Sequence, residues 1–551
     1  MNSKLAFNLA DLFENVVDHV PEREAIVCGE RRLTFAQLDE RANRLAHHLL
    51  ANGVKRGDHV GLYLYNSTEY IEGALAAFKI RAVPVNINFR YVEDELRYLF
   101  SDADLVALVY SREFAPRVAA VVGERNGANA ASVRAQEALQ LRTFVYVNDG
   151  TDADAPIGDE YEAALAAASP ARDFGQRSGD DLYLIYTGGT TGMPKGVMWR
   201  QEDVFFAGLQ GGNPGAADIT EPGQIGPNAR ERIAAPTTLP VAPLMHGNGH
   251  WAAMIGLHGG GKVVLAASRK LDPHEIWTLV GREKVQVMSI VGDAMARPLA
   301  EALHAPGASY DTSPLLVVSS GGAIFSEAVK DQLRAKLPNT LLIDAFGVSE
   351  AGHQGMNLGA SGGGRPRFSV EGFTAVLDDD LRRIEPGSET IGRLARCGRL
   401  PLGYYKDPEK TARTFMTDAD GTRWVLPGDM ATIDADGIVT LLGRGSICIN
   451  SGGEKIYPEE VEAALKAHAA VFDAVVVGVP DARWGERVAA VVQPRPGATP
   501  TLAELDAHCR TKVSAYKVPR ELHLVAEMQR SPAGKADYRW AKAVAMGDAG
   551  A

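Results

Sequence analysis

The 551-residue chain is 46% hydrophobic and 23% charged, an ordinary balance for a folded globular protein, and its 57 glycines imply many turns with special backbone angles. A net charge of −12 argues against a nucleic-acid partner, because neutralising phosphates needs a basic face; only a local basic groove stays open. Four scattered cysteines, Cys28, Cys397, Cys448 and Cys509, form no CxxC pair, which excludes a disulfide framework or zinc ribbon and fits a reducing cytoplasm. The opening "MNSKLAFNLADLFENVVDHV" is broken by Asp and Glu, so it offers neither a signal-peptide core nor an integral membrane segment of about 20 apolar residues, and "AMGDAGA" at the other end carries no anchor. Transient membrane contact to fetch an apolar substrate stays open.

In chain order, "LTFAQLDERANRLAHHLLANG" predicts a helix. Thr34 and Gln37 have capping-box spacing, Phe35, Leu38, Ala42, Leu45 and Leu49 share one face, and Gly53 marks the stop. "HVGLYLYN" is strand-like, and "YIEGALAAFKIRAVPVNIN" reads as helix then strand. The alternation continues and predicts a large α/β N-terminal domain of several subdomains with mostly parallel sheets, spanning 1–444. Two Gly/Pro-rich segments, 211–230 and 357–368, are expected as surface loops that border a substrate mouth or do nothing. From "GRGSICINSGGEKIYPEEVEAALKAH" the texture shifts to a compact α+β C-terminal domain, 445–551. It comprises a helix starting near Pro458, strands "FDAVVVGVP" and "RVAAVVQP", a helix "LAELDAHCRTKVSAY" and a strand "ELHLVAE".

The most informative stretch is "YTGGTTGMPKGV", Tyr186 to Val197. A Walker loop needs glycine before its lysine and Ser/Thr after it, but here Pro194 precedes Lys195 and Gly196 follows. The glycines follow a predicted strand, "DLYLIYT", where α/β proteins place ligands. Gly188, Gly189 and Gly192 let backbone N–H groups approach phosphate oxygens, the hydroxyls of Thr187, Thr190 and Thr191 add donors, and Lys195 adds a point charge. A bare glycine-rich surface hairpin is the bland alternative.

With its companions, this loop resembles the adenylate-forming superfamily: acyl-CoA synthetases, firefly luciferase and amino-acid adenylation domains. The resemblance covers nearly the whole chain, with the motifs in the family's order. "DAFGVSEAG" is similar to the aromatic-Gly-x-Thr-Glu element, with Phe346 where Tyr is usual and Ser349 where Thr is usual. By resemblance Ser349 approaches the α-phosphate, Glu350 and Thr187 hold Mg²⁺, and Ala345, Phe346 and Gly347 line the nucleotide site. Read alone, Glu350 is a solvated loop acid. "SSGGAIF" puts Gly321, Gly322 and Ala323 against adenine, with Asp344 accepting from the adenine amino group. "LPGDM" supplies Asp429 for the ribose hydroxyls, with Pro427 in place of the usual Ser/Thr, and Arg444 is the other expected ribose contact.

"RSPAGKADYRW" resembles the family's Pro-x-x-Gly-Lys, which makes Lys535 the catalytic lysine, bridging the carboxylate and the phosphate as charge gathers on phosphorus. In isolation it is one surface lysine among many. The resemblance implies acid + ATP + CoA giving acyl-CoA, AMP and pyrophosphate through an acyl-adenylate, with the small domain swinging about a linker near Arg444. Then Ser451, Gly452, Gly453 and Glu454 line the CoA path. Relatives carry Asp or Lys at the pivot; here Ser446 and Ile447 stand.

"VAPLMHGNGHWAAM" matches the segment near the acyl carboxylate. Met245 and His246 stand where amino-acid-activating relatives use an aspartate, which disfavours an amino-acid substrate. Met245, His246 and Gly247 are assigned to the acyl pocket, with His246 orienting the carboxylate. The spacing of His246 and His250 also admits a zinc pair, though no further ligands cluster nearby. Long stretches are similar to actinobacterial synthetases that activate sterol side-chain acids, and Gly247, Gly249, Gly321 and Gly322 leave space for a bulky ring unless backbone geometry demands them. Medium- or long-chain fatty and arylalkanoic acids compete. Rival readings are an acyl-AMP ligase serving a carrier protein and a non-enzymatic nucleotide sensor; a homodimer is an open oligomeric state.

Overall fold

The computed structural model describes residues 5–123, 139–154, 156–189, 192–212, 217–232, 235–323, 325–357, 367–370, 372–451, 454–481, 485–513, 515–530 and 535–547. Contacts divide the chain into two compact units: Met1–Ile290 with Tyr310–Leu316 and Arg399–Thr411, and Val291–Ser309 with Val317–Gly398 and Ala412–Ala551.

The first unit is the parallel α/β part. Five parallel strands run in the order Val83–Asn86, His59–Tyr63, Leu105–Ser111, Thr143–Val147, Asp159–Glu160. A second sheet orders Arg31–Thr34, Glu24–Cys28, Val263–Leu265, Thr238–Pro240 and Val287–Ile290, parallel except for its first pair. The predicted capping box forms: Thr34 Oγ1 accepts from Gln37 N at 3.2 Å and Gln37 Oε1 from Thr34 N at 2.9 Å, starting the helix Phe35–Ala51. All five predicted core residues of that helix are buried, each large one contributing roughly 2 kcal/mol.

One expected loop is partly wrong. Within 211–230 the chain forms a helix, Ile225–Glu231, packed against the helix Leu9–His19. Ile225 and Ala229 are buried, Asn15 Oδ1 accepts from Gly226 N at 2.9 Å, and a Cβ on Gly226 would lie 2.3 Å from His19 Nδ1. Gly226 and Pro227 read as loop signals; Pro227 is tolerated because it lies in the first turn, and Gly226 because the helices meet there. The other expected loop is strand from Arg367 to Val370, and 358–366 lies outside the described residues.

In the second unit, Val317–Gly321 and Leu341–Val348 are parallel, and from there the sheet turns antiparallel through Gly352–Asn357, Arg367–Val370, Val439–Arg444, Asp429–Ile433 and Gly392–Arg396. Parallel pairing therefore dominates the first unit only. Five strands between Ile449 and Leu524 build a separate sheet around the long hairpin Val471–Asp481/Gly485–Pro494. Strand alternation splits its side chains into two cores, Val476, Val488 and Val492 on one face and Val475, Val477 and Val491 on the other. The expected helix "LAELDAHCRTKVSAY" stops at Cys509, where Thr511 Oγ1 donates to His508 O at 2.7 Å in place of continued helix; Ala515–Lys517 is a separate 3₁₀ turn.

Candidate active site

The glycine-rich motif is a hairpin. Strands Leu182–Gly189 and Gly192–Arg200 pair antiparallel, with Thr187 opposite Lys195 and Gly189 opposite Gly192; Thr190 and Thr191 lie outside the described residues. The glycines thus turn one strand into another, where a Walker loop feeds a helix. Two tyrosines fix the hairpin to the helix Glu93–Asp102. Tyr98 Oη donates to Pro194 O at 3.2 Å and Tyr186 Oη to Asp102 at 2.7 Å. Burial, with the Asp102 carboxylate adjacent, pushes the Tyr186 hydroxyl far above the usual phenol range, so it stays a donor. Lys195 pairs with Asp407, and that bond holds the Asp407 carboxyl below its ordinary range.

The acyl-motif segment lies in the same unit and is wired to the hairpin. Asn86, the last residue of its strand, donates from Nδ2 to Tyr186 O at 2.8 Å and to Met245 O at 2.6 Å, while its Oδ1 accepts from Tyr186 N at 2.7 Å. Two more asparagines finish the job. Asn66 Oδ1 accepts from Leu244 N at 2.7 Å, and Asn248 Nδ2 donates to Ile290 O at 2.8 Å while its Oδ1 accepts from Ser289 at 2.7 Å. His246 is the N-cap residue of the helix Gly247–His258. Gly249 is needed for packing, since a Cβ there would lie 2.4 Å from the carbonyl oxygens of Ala242 and Pro243. His250, one turn in, is buried between the rings of Tyr70 and Tyr183, and burial lowers its pKa to about 4. It lines a cavity of about 20 Å³ with Asn86 and Met245, room for one water.

In the second unit, the residues expected around adenine sit side by side at parallel strand ends: Ser320 is opposite Asp344 and Gly321 opposite Ala345. Gly322 follows at φ +87°, so backbone conformation demands that glycine. Asp344 is already engaged, its carboxylate 2.7 Å from the buried Lys330; burial raises its pKa and Lys330 opposes the rise. Ser349 and Glu350 form the half-buried turn after Phe346–Val348. Gly347 is sterically required there, because a Cβ would lie 2.4 Å from Gly352 O. The register sets Asp429 directly opposite Arg444, so the two expected ribose contacts are cross-strand neighbours.

Ser451 and Glu454 face each other across a short hairpin whose glycines, Gly452 and Gly453, lie outside the described residues. Lys535 follows Pro532 and Gly534, which also lie outside them. Described residues on both sides of it are anchored by hydrogen bonds. Arg530 and Ala536 form a backbone bridge that closes the loop, Arg530 holds Asp473 through two 2.6 Å bonds, and Asp537 caps the helix Tyr538–Met546 through the amides of Arg539 and Trp540. Asp473, flanked also by Lys466, is held at a pKa of about 2 despite burial.

The model of the AMP-binding enzyme family matches residues 13–400, and that of the AMP-binding enzyme C-terminal domain matches 460–535. The chain belongs to the AMP-binding enzyme family. It is 48% identical to a medium/long-chain-fatty-acid–CoA/3-oxocholest-4-en-26-oate–CoA ligase of Mycobacterium tuberculosis over 98% of this chain and 96% of the relative. It is also 48% identical to a 3-oxocholest-4-en-26-oate–CoA ligase of Rhodococcus rhodochrous over the same shares, and 41% identical to the medium-chain acyl-CoA ligase Mig of Mycobacterium avium over 98% of each chain. Among solved structures, an anthranilate CoA ligase bound to anthranoyl-AMP matches in fold with a TM-score of 0.82 at 23% identity, covering 99% of this chain and 98% of the other. ATP-bound MatB of Rhodopseudomonas palustris matches with a TM-score of 0.78 at 25% identity, covering 98% of each. Among the described residues, no helix is long and apolar enough to cross a membrane.

The asparagines 66, 86 and 248 and Asp407 were not singled out by sequence. Asn86 ends the strand in "VPVN", and a polar residue at the C-terminal end of a buried parallel strand is the signal that marks it.

Proposed function

We propose that this ATP-dependent acyl-CoA ligase takes a bulky sterol-type side-chain acid, with medium- or long-chain fatty acids as its nearest competitors. The observation that carries the substrate class is the 48% identity, end to end, with ligases named for both acid types. A carboxylate oxygen attacks the α-phosphorus of ATP and the bond to the β-phosphate breaks, releasing pyrophosphate. The CoA thiol then gives up its proton to solvent and its sulfur attacks the acyl carbonyl, the bond from that carbon to the AMP oxygen breaks, and AMP leaves.

In this reading the hairpin residues Thr187 to Gly192 and Lys195 hold the phosphates, Ser349 approaches the α-phosphate, and His246 orients the acid. Gly321, Gly322, Ala323, Asp344 and Ala345 hold adenine, and Asp429 and Arg444 hold ribose. Lys535 places its charge on the reacting carboxylate and phosphate, an effect for which one lost donor costs about 3 to 4 kcal/mol. Glu350 and Thr187 offer the hard oxygen donors that suit Mg²⁺, whose chemistry is to neutralise charge on the phosphates. We place the pivot between Arg444, where the large antiparallel sheet ends, and Ile449, where the small sheet and its own cores begin; this puts the domains at 1–444 and 445–551. Ser451 to Glu454 then line the CoA path. The free cysteines suit a reducing cytoplasm.

A pyrophosphate-release screen over sterol, fatty, aryl and amino acids, with and without CoA, tests the substrate class. Preference for the sterol acid by kcat/KM with acyl-CoA as product supports it. Preference for an aryl or amino acid overturns it, and retained acyl-AMP without acyl-CoA assigns the chain to carrier-protein ligases.

A further inference from the structure

The phosphate hairpin carries a third strand. Gly403–Tyr404 pairs antiparallel with the hairpin strand, Gly403 opposite Met198 and Tyr404 opposite Val197. The flanking amides extend the ladder: Leu402 N donates to Met198 O at 2.7 Å and Tyr405 N to Gly196 O at 2.8 Å. The chain then turns through Lys406 at φ +53° and delivers Asp407 onto Lys195. The turn is pinned by Asp104, which accepts from Tyr405 Oη at 2.7 Å and pairs with Lys406 at 2.8 Å. Asp407 uses both carboxylate oxygens. Oδ1 caps the helix Pro408–Thr414 by accepting from Lys410 N at 2.9 Å, and Oδ2 holds the Lys195 ammonium.

The position of this pair matters more than its strength. Lys195 sits across the hairpin from Thr187, in the segment proposed above to hold phosphate, and its side chain is 35% exposed against 26% for Asp407. An ion pair this accessible is weak in water and readily exchanged for a stronger anion. A triphosphate brings several negative oxygens to a site where one carboxylate already occupies the cation, so the two compete.

We propose that Asp407 is the counter-ion of Lys195 whenever no triphosphate is bound: it holds the ammonium beside the hairpin, yields it to the triphosphate when ATP binds, and takes it back as pyrophosphate leaves. Asp407 therefore weakens ATP and pyrophosphate binding together and speeds pyrophosphate release. This rests on Lys195 being a phosphate contact, and the test separates the two claims.

Asp407→Asn and Asp407→Ser both keep a capping side chain on the following helix while removing the charge, so the local fold is retained. Titrating the full-length enzyme with ATP and, separately, with pyrophosphate should show both binding about two- to fivefold tighter in each variant, the span of a half-exposed ion pair. Pyrophosphate release should slow by the same factor, and Asp407→Glu should return both affinities toward the parent values. In a Lys195→Ala background, Asp407→Asn should change neither affinity. Weaker or unchanged binding in Asp407→Asn, with Lys195→Ala itself weakening both ligands, overturns the counter-ion role and leaves the phosphate contact standing. If Lys195→Ala leaves both affinities unchanged, the phosphate contact fails and the counter-ion role falls with it.

Discussion

Removing the Asn86 side chain is the sharpest test of how the acid and phosphate segments are coupled. Asn86→Ala deletes three hydrogen bonds of 2.6, 2.7 and 2.8 Å, to Met245 O, Tyr186 N and Tyr186 O. At about 1 kcal/mol net for each, the first unit should lose roughly 3 kcal/mol, read as a lower midpoint of its urea transition. The functional loss should be larger than stability alone explains, because one side chain sets the spacing between the hairpin and the acyl segment. A displacement near 1 Å between reacting groups costs about 10²-fold, so pyrophosphate release should fall by roughly that factor below the unfolding temperature, with KM raised for both acid and ATP. Asn86→Asp keeps an acceptor for Tyr186 N but turns an oxygen toward two carbonyl oxygens, and should be nearly as damaging. A variant Asn86→Ala with an unshifted urea midpoint and unchanged kcat/KM for both substrates would falsify this coupling.

Lys535→Ala should slow adenylation by roughly 10²–10³-fold while sparing thioester formation from supplied acyl-AMP; equal damage to both half-reactions contradicts a mobile lysine. Asp473→Asn should destabilise the small domain by about 3 kcal/mol, since Arg530 and Lys466 lose a mostly buried partner, and should harm adenylation more than thioester formation because the Lys535 loop hangs from Arg530. Acid should destabilise the fold through buried neutral histidines. His250 titrates at about 4 when folded and near 6.5 when unfolded, so between these values the unfolded chain binds the extra proton and stability falls as pH falls. That loss should total roughly 3 kcal/mol for His250, and His353, also at about 4 through burial and Arg396, adds to it. With Tyr70, Tyr183 and His258 left in place around it, His250→Phe should flatten the melting-temperature profile between pH 6.5 and 4; an unchanged slope refutes the assignment.

Local rules were legible where one segment decided its own fate. The capping box at Thr34 and Gln37, the buried face from Phe35 to Leu49 and the strand before Thr187 all follow from periodicity and end signals. The motif glycines were also legible, although two have plainer reasons than ligand space: Gly249 avoids two carbonyl oxygens and Gly322 needs a positive φ. Illegible were features that depend on distant partners. The helix Ile225–Glu231 exists because Ile225 and Ala229 meet the helix Leu9–His19, more than 200 residues earlier, which no local window contains. Asn86 reaches Met245 across 159 positions and Asp407 reaches Lys195 across 212, so neither could be paired without the fold.

The central claim is that the acid attacks the α-phosphorus and leaves as a thioester. Supplying an acid labelled with ¹⁸O in both carboxylate oxygens and weighing the products of one turnover tests it directly. One labelled oxygen should appear in AMP and the other in the acyl-CoA, with none in pyrophosphate. Label in pyrophosphate or phosphate, or formation of ADP, would place the attack at another phosphorus and contradict the adenylate.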